Sequence, residues 1–292
     1  MFSWFARTAE RQYTRTLLFS TLFDLMSQVV CGLSPSVGAA YQASEASIGV
    51  SVQAVYDKLK RVEATTSAEL VRYTATTVTP FIEEFGAPRP PVVPGYREKI
   101  LDGTCLAASD HRLAVLQEIA AGALPGKSLV VYDPALGIPT DVFPCEDGHA
   151  QERALLGAVL ATVQAGDVWM ADRNMCTLGF TCGLDDRWAC FVIREHANYP
   201  WTSAGPEVLQ GHTDTGTVYE QPITVIDDAG RTHTFRRIRV ALKTATRDGD
   251  LEVALISNLP PTTARATEVA NSYGWRWTIV TAFQETTVHL HS

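Results

Sequence analysis

The segment Ala87-Pro88-Arg89-Pro90-Pro91-Val92-Val93-Pro94-Gly95 constrains the fold more than any other part of the chain. Each proline ring fixes φ and removes a backbone donor, so no helix continues through it, and the stretch acts as a stiff joint between two regions of different character. Upstream, apolar residues recur at helical spacing (Leu17, Leu18, Thr21, Leu22, Leu25, Met26), which predicts a helical N-terminal domain over 1–86. Downstream of a linker at 87–96, apolar strands alternate with helices. Lys99 to Asp102 reads as the end of a strand, Ser128 to Tyr132 as a buried strand and Ala150 to Val163 as an amphipathic helix. Asp167 to Asp172 is a further short strand, Asn174 to Leu184 a short helix and Ala189 to Arg194 another buried strand. That alternation predicts an α/β domain over 97–292 with its sheet covered on both faces. Strands joined by the turn signatures Asp227-Asp228-Ala229-Gly230 and Asp248-Gly249-Asp250 predict an all-β insertion at about 200–258, and a last helix, bent near Asn271 and Ser272, runs from Thr263 to about His289.

With 292 residues, 46% of them hydrophobic, the chain can bury a large core in one big domain plus a small one. The apolar run from Thr14 to Leu33 is interrupted by Arg15, Asp24, Ser27 and Gln28, so no membrane span is expected. No cleavable leader is visible and the six cysteines form no CxxC pair, which favours a reducing cytoplasm and argues against zinc. The net charge of −8 excludes a uniformly basic nucleic-acid coat. Residues 1–100 nevertheless hold ten Lys and Arg against nine Asp and Glu, whereas the remainder holds fourteen against twenty-three. The N-terminal third is therefore the better partner for a polyanion.

Two aspartates, Asp102 and Asp172, close apolar strands, where side chains leave the core and can meet. On the last helix Tyr273, Arg276, Val280 and Thr287 stand at i, i+3, i+7 and i+14, on one helical face. This pattern resembles the Tyr-x2-Arg-x3-Glu-x6-Lys signature of insertion-sequence DDE transposases of the IS-four type, with Val280 at the glutamate position and Thr287 at the lysine position. Ile100-Leu101-Asp102-Gly103-Thr104 is similar to that family's first-aspartate strand, and Trp169-Met170-Ala171-Asp172-Arg173-Asn174 to its second. The resemblance covers residues 97–292.

The resemblance implies an RNase H-like catalytic core with an all-β insertion and a helical N-terminal domain. It also implies Mg²⁺ or Mn²⁺ at Asp102 and Asp172, and cutting and joining of DNA ends. Two such ions about 4 Å apart activate a water or a 3′-hydroxyl and stabilise the leaving oxygen, and carboxylates are their fitting ligands. Asp102 would bridge both ions, Asp172 hold one and the helix glutamate the other. Arg276 would grip a phosphate bidentately and Tyr273 orient the same strand. Val280 ligates nothing; Gln284 is a neutral substitute and Glu285 points elsewhere round the helix. An impaired, C-terminally truncated copy is the expectation. The bland alternatives are solvated turn aspartates and an arginine stem packed between Trp275 and Trp277.

DNA contacts are expected in two places. Ala40 to Val62 resembles a helix-turn-helix in which Ser51 caps the second helix and Gln53, Tyr56, Lys58 and Lys60 face DNA; an ordinary helical hairpin is the alternative. Arg231, Arg236, Arg237, Arg239, Lys243 and Arg247 cluster in the β insertion, where alternation puts Arg237, Arg239 and Lys243 on one face. That face is either a phosphate-tracking surface or the wet side of an amphipathic strand. Function thus divides between a metal-dependent transposase acting on element ends and target DNA, alone, as a homodimer or with an intact transposase, and a non-catalytic DNA-binding remnant or inhibitor. A general nuclease of RNase H-like fold is a third, weaker reading.

Overall fold

The computed structural model describes residues 4–5, 16–106, 126–145, 152–246, 249–276 and 278–283; Arg247, Trp277, Gln284, Glu285 and Thr287 lie outside the described residues. The described helices before the joint include α1 (Phe19–Val30), α2 (Val37–Ile48), α3 (Val52–Leu59) and α4 (Ala64–Glu84). Leu17, Leu22, Leu25, Ala40, Tyr41, Ile48 and Val55 form one core among the first three. Gly49 adopts φ 67° at the end of α2, a conformation that suits glycine, and lets the chain reverse. Ser51 then caps α3, its hydroxyl accepting from the Ala54 amide at 3.3 Å.

Beyond the joint stands one large mixed sheet of ten strands. They are β1 (Arg97–Leu106), β2 (Gly126–Asp133), β3 (Ile138–Cys145), β4 (Asp167–Ala171), β5 (Cys190–Arg194), β6 (Thr202–Ser203), β7 (Val208–His212), β8 (Gly216–Ile226), β9 (Thr232–Leu242) and β10 (Glu252–Ser257). Their order is β3-β2-β1-β4-β5-β10-β9-β8-β6, with β7 against β8. β1, β4 and β5 run parallel at the centre. Apolar side chains cover both faces. Leu101, Trp169, Phe191 and Phe235 face α5 (Leu156–Leu160) and α6 (Leu178–Asp185), while Ile100, Met170, Val192 and Ile238 face α7 (Ala266–Ser272) and residues 278–283.

Several elements depart from the sequence reading. β3 carries Pro139 and Pro144, which erase a strand signature yet are tolerated because β3 is the sheet edge. The helix expected over 150–163 contracts to a 3₁₀ turn at Glu152–Leu155 and the short α5, since the chain must turn at Gly166 (φ 82°) to enter β4. The strands expected at about 200–258 join the central sheet, because β10 pairs with β5. The break expected near Asn271 and Ser272 is present, since α7 stops at Ser272, but a 3₁₀ turn, Tyr273–Arg276, follows it where α-helix was expected. The joint also docks onto the sheet. Val93 donates its amide to Glu98 Oε1 at 2.8 Å, and Arg89 donates its amide to the Ala135 carbonyl at 2.9 Å.

A buried histidine clasps the β8–β9 hairpin to α6. His233 Nδ1 lies 2.8 Å from Asp185 Oδ2 and Nε2 lies 3.4 Å from Asp227 Oδ2. Burial opposes its protonation, but the two carboxylates outweigh burial and raise the imidazole pKa above its usual 6.5. A raised folded-state pKa gives stabilisation fully present below the unfolded value and lost as pH climbs through the folded one. Melting temperature is therefore expected to fall on going from about pH 6 to about pH 8. His233→Gln should flatten that slope and cost about 2 kcal/mol at the acidic end, as read by thermal melts across pH.

Candidate functional site

The β1–β4 ladder ends with Leu101 opposite Ala171, and Asp102 and Asp172 are the residues that follow them in the chain. Ile100 and Met170, two residues earlier, share one core cluster, so the period of two turns both aspartates to that same side of the sheet. Asp102 does not close its strand as the sequence reading had it. β1 runs on beside β2 to Leu106, and Asp102 marks where the parallel pairing stops. β4 does end there: Asp172 opens a 3₁₀ turn, its Oδ1 accepting from the Asn174 amide at 2.9 Å.

Arg276 reaches this point from the turn after α7 and places Nη1 3.1 Å from Asp102 Oδ2. The arginine is only 9% exposed. Burial drives the Asp102 pKa up, Arg276 pulls it back, and the charges of Asp172 and Glu152 push it up again. Tyr273, half-buried, is pushed up to about 12 by burial, with Arg276, Asp172 and Arg194 as the surrounding charges. Its ring lies 5.8 Å from the Arg276 guanidinium, since residues three apart eclipse in a 3₁₀ turn. Asp102, Tyr273 and Arg276 therefore lie together, with Asp172 near enough for its charge to act on Asp102 and Tyr273. Val280 faces the apolar cluster around Ile100 and Met170 and contributes packing.

Glu152 is the nearby acid that sequence reasoning missed; it lies against the Gly103 side of β1, across the strand from Asp102. Its Oε2 accepts from Asn174 Nδ2 at 2.6 Å, and a Cβ added to Gly103 would stand 2.8 Å from its Cδ. The only signals were a glycine directly after Asp102 and an acid opening the segment between the two aspartate strands, and neither has a period. Gly103→Ala is expected to cost no more than about 1 kcal/mol, because a flexible carboxylate yields. It should push the Glu152 carboxylate away from β1, and moving that negative charge off should lower the Asp102 pKa in a carboxyl-carbon NMR titration.

These carboxylates are hard oxygen donors of the kind Mg²⁺ or Mn²⁺ takes. Among the described residues, however, no three His, Cys, Asp or Glu side chains converge closely enough to hold an ion as they stand, and Asp102 is engaged by Arg276. At the other end of β1 and β4 a cavity of about 350 Å³ is lined by Arg97, Lys99, Asp167 and Trp169, but Arg97 pairs with Asp167 and Lys99 with Asp133, so its charges are already matched.

The expected DNA-facing residues divide. Gln53, Tyr56 and Lys60 are exposed on and just after α3, with Gln53 Nε2 bonded to Asp57 at 2.9 Å. Lys58 instead turns inward, donating to the Leu17 carbonyl, and burial lowers its pKa. In β9 the alternation is as expected, yet the cations are matched by acids distant in sequence. Arg237 pairs with Glu195 at 2.8 Å and stacks over Trp201. Arg239 pairs with Glu207 at 2.5 Å and with Glu252 at 3.3 Å, over the Tyr219 ring. Lys243 Nζ donates to the carbonyls of Thr213 and Asp214, each at 3.1 Å.

No family model and no curated protein matches the chain. Among solved structures it is similar to the piggyBac transposase synaptic complex with hairpin DNA, with a TM-score of 0.44 and 13% identity, covering 96% of this chain and 56% of that one. The chain thus spans a little over half the length of that transposase.

Proposed function

We propose that the chain is a transposase-type protein that acts on DNA ends by divalent-cation-assisted phosphoryl transfer. In this reading residues 97–292 form an RNase H-like core and the helices of 1–86 bind DNA. The observation that carries it is the placement of Asp102 and Asp172 directly beyond the last paired residues of two adjacent parallel strands, on one face, under a buried arginine. Mg²⁺ or Mn²⁺, when bound, would activate the attacking hydroxyl and steady the leaving oxygen. Asp102 and Asp172 would supply ligand oxygens, and Glu152, held by Asn174 against the Gly103 side of β1, would swing across to supply the third carboxylate that Val280 does not. Arg276 presents a planar fork to a phosphate, with Tyr273 fixing its orientation. α3 offers Gln53, Tyr56 and Lys60 to the duplex. The cytoplasm remains the expected compartment, with a second copy or an intact transposase as partner.

One observation favours the second reading, a non-catalytic DNA-binding protein: Arg276 already neutralises Asp102 while position 280 belongs to the core. The deciding experiment is Mn²⁺-dependent nicking of plasmid DNA by the chain, Glu152→Gln and Val280→Glu. The first reading expects weak nicking that Glu152→Gln abolishes and Val280→Glu does not raise. Brisk activity gained by Val280→Glu would move the third acid back to the helix, and no nicking by any of the three supports the second reading.

A further inference from the structure

We infer that Trp188 is a docking residue for single-stranded DNA, its indole taking an unpaired base while the arginines around it take the flanking phosphates; the inference rests on the DNA-binding reading above. Trp188 follows α6 and adopts φ 58°, and among the described residues no other residue except glycine has a positive φ. The turn is a common helix ending: the Trp188 amide donates to the Asp185 carbonyl at 3.0 Å and the Ala189 amide to the Leu184 carbonyl at 3.1 Å. Such a position favours glycine, because in the left-handed region a Cβ crowds the following carbonyl. Here it carries the largest side chain of all, and Trp188 is 84% exposed. The fold bears the strain without gaining core packing from the ring, and strain of that kind persists where binding makes use of it.

The charges beside the ring favour a polyanion. The Trp188 carbonyl accepts from the Gly166 amide at 3.2 Å and the Gly166 carbonyl from the Arg97 amide at 3.0 Å. The ring therefore stands by the starts of β1, β4 and β5, at the opposite end of these parallel strands from Asp102 and Asp172. Arg187 is exposed next to it, with Nη1 on the Gly183 carbonyl at 2.8 Å and no ion pair among the described residues. Arg97 pairs with Asp167, and Arg231 with Asp186 and Asp227, yet these arginine side chains are 53% and 57% exposed. Asp167 is buried and the Asp227 side chain is nearly so, so of these partners only Asp186 shares the surface and the guanidiniums lie outermost. Outward arginines around one ring match the alternation of phosphate and base along a single strand, whereas the bases of a duplex are already stacked on one another.

The test combines thermal melts with fluorescence anisotropy of a labelled oligothymidylate of about fifteen nucleotides and of a DNA duplex of equal length, using the full chain. Trp188→Gly should raise the melting temperature by about 2–3 °C, since glycine relieves the φ, and weaken single-strand binding about tenfold while leaving duplex binding nearly unchanged. Trp188→Phe keeps a stacking face and should bind the single strand within about threefold of wild type, with no gain in melting temperature. Arg187→Ala should reduce the slope of log affinity against log salt by about 0.7. Single-strand binding untouched by Trp188→Gly overturns the docking role, as does a variant no more heat-stable than wild type; the first result is the one expected were the ring a contact for another protein, and it leaves the DNA-binding reading standing. Failure of the wild-type chain to bind either the single strand or the duplex sinks that reading itself, and the docking role with it.

Discussion

Arg236→Leu is expected to lower the unfolding free energy by about 3–5 kcal/mol, the largest loss of any single arginine in the β region. Arg236 is 8% exposed. Nε and Nη2 reach the two oxygens of Glu220 at 2.6 and 3.1 Å, and Nη1 reaches the carbonyls of Leu259 and Ala264 at 2.7 and 2.9 Å. Removing the guanidinium leaves a largely buried carboxylate charge and two carbonyls without their donor, each costly in a water-poor interior. The same cluster ties β8 and β9 to the loop that delivers α7 and, beyond it, Arg276. Urea unfolding measures the effect, and Arg236→Leu with Glu220→Leu should recover much of the loss, because exchanging both charges for apolar groups removes the orphan. Arg239→Ala, whose pairs are partly solvated, should cost under about 1 kcal/mol. Equal costs for the two arginines would refute this reading of Arg236.

Position along β9 separates Arg236 from Arg237 and Arg239 without naming what Arg236 meets. The period of two says that neighbours take opposite faces, and Ile238 and Val240 mark the buried one, so Arg236 falls inside by parity alone. What a linear sequence withholds is the partner: Glu220, Glu195, Glu207 and Glu252 become neighbours only through pairing and loop return. The same limit explains Glu152 and the inward turn of Lys58. Local signals fared better. The helical character of the N-terminal region, the Ser51 cap and strands β2, β4 and β5 followed from apolar spacing and cap chemistry, which act over a few residues. β3 was hidden by its prolines, and the 3₁₀ turn from Tyr273 to Arg276 broke a single-face argument that assumed α-helical spacing from Tyr273 onward. The two aspartates were legible because each follows a short apolar run that is bound to be a buried strand.

Asp102→Asn is expected to abolish cation-dependent nicking, by at least about a hundredfold, while leaving the fold nearly intact. Asparagine is close in shape and keeps carbonyl oxygen for Arg276, so a stability change within about 1 kcal/mol is anticipated. Because burial makes the Asp102 charge unfavourable, neutralising it offsets part of what the arginine contact loses. Asp102→Ala differs: it removes the acceptor, leaves a buried guanidinium without that partner and should cost about 3 kcal/mol. The pair of substitutions thus separates chemistry from folding. The pH profile supplies a further check. The charge must be present for a cation to bind, and the raised pKa means that nicking should fail, as pH drops, above the usual carboxylate range. A profile flat down to ordinary aspartate pKa values, or an Asp102→Asn variant as active as wild type, would show that nicking by this chain arises elsewhere, and Asp102 would then be left with the structural task of anchoring Arg276.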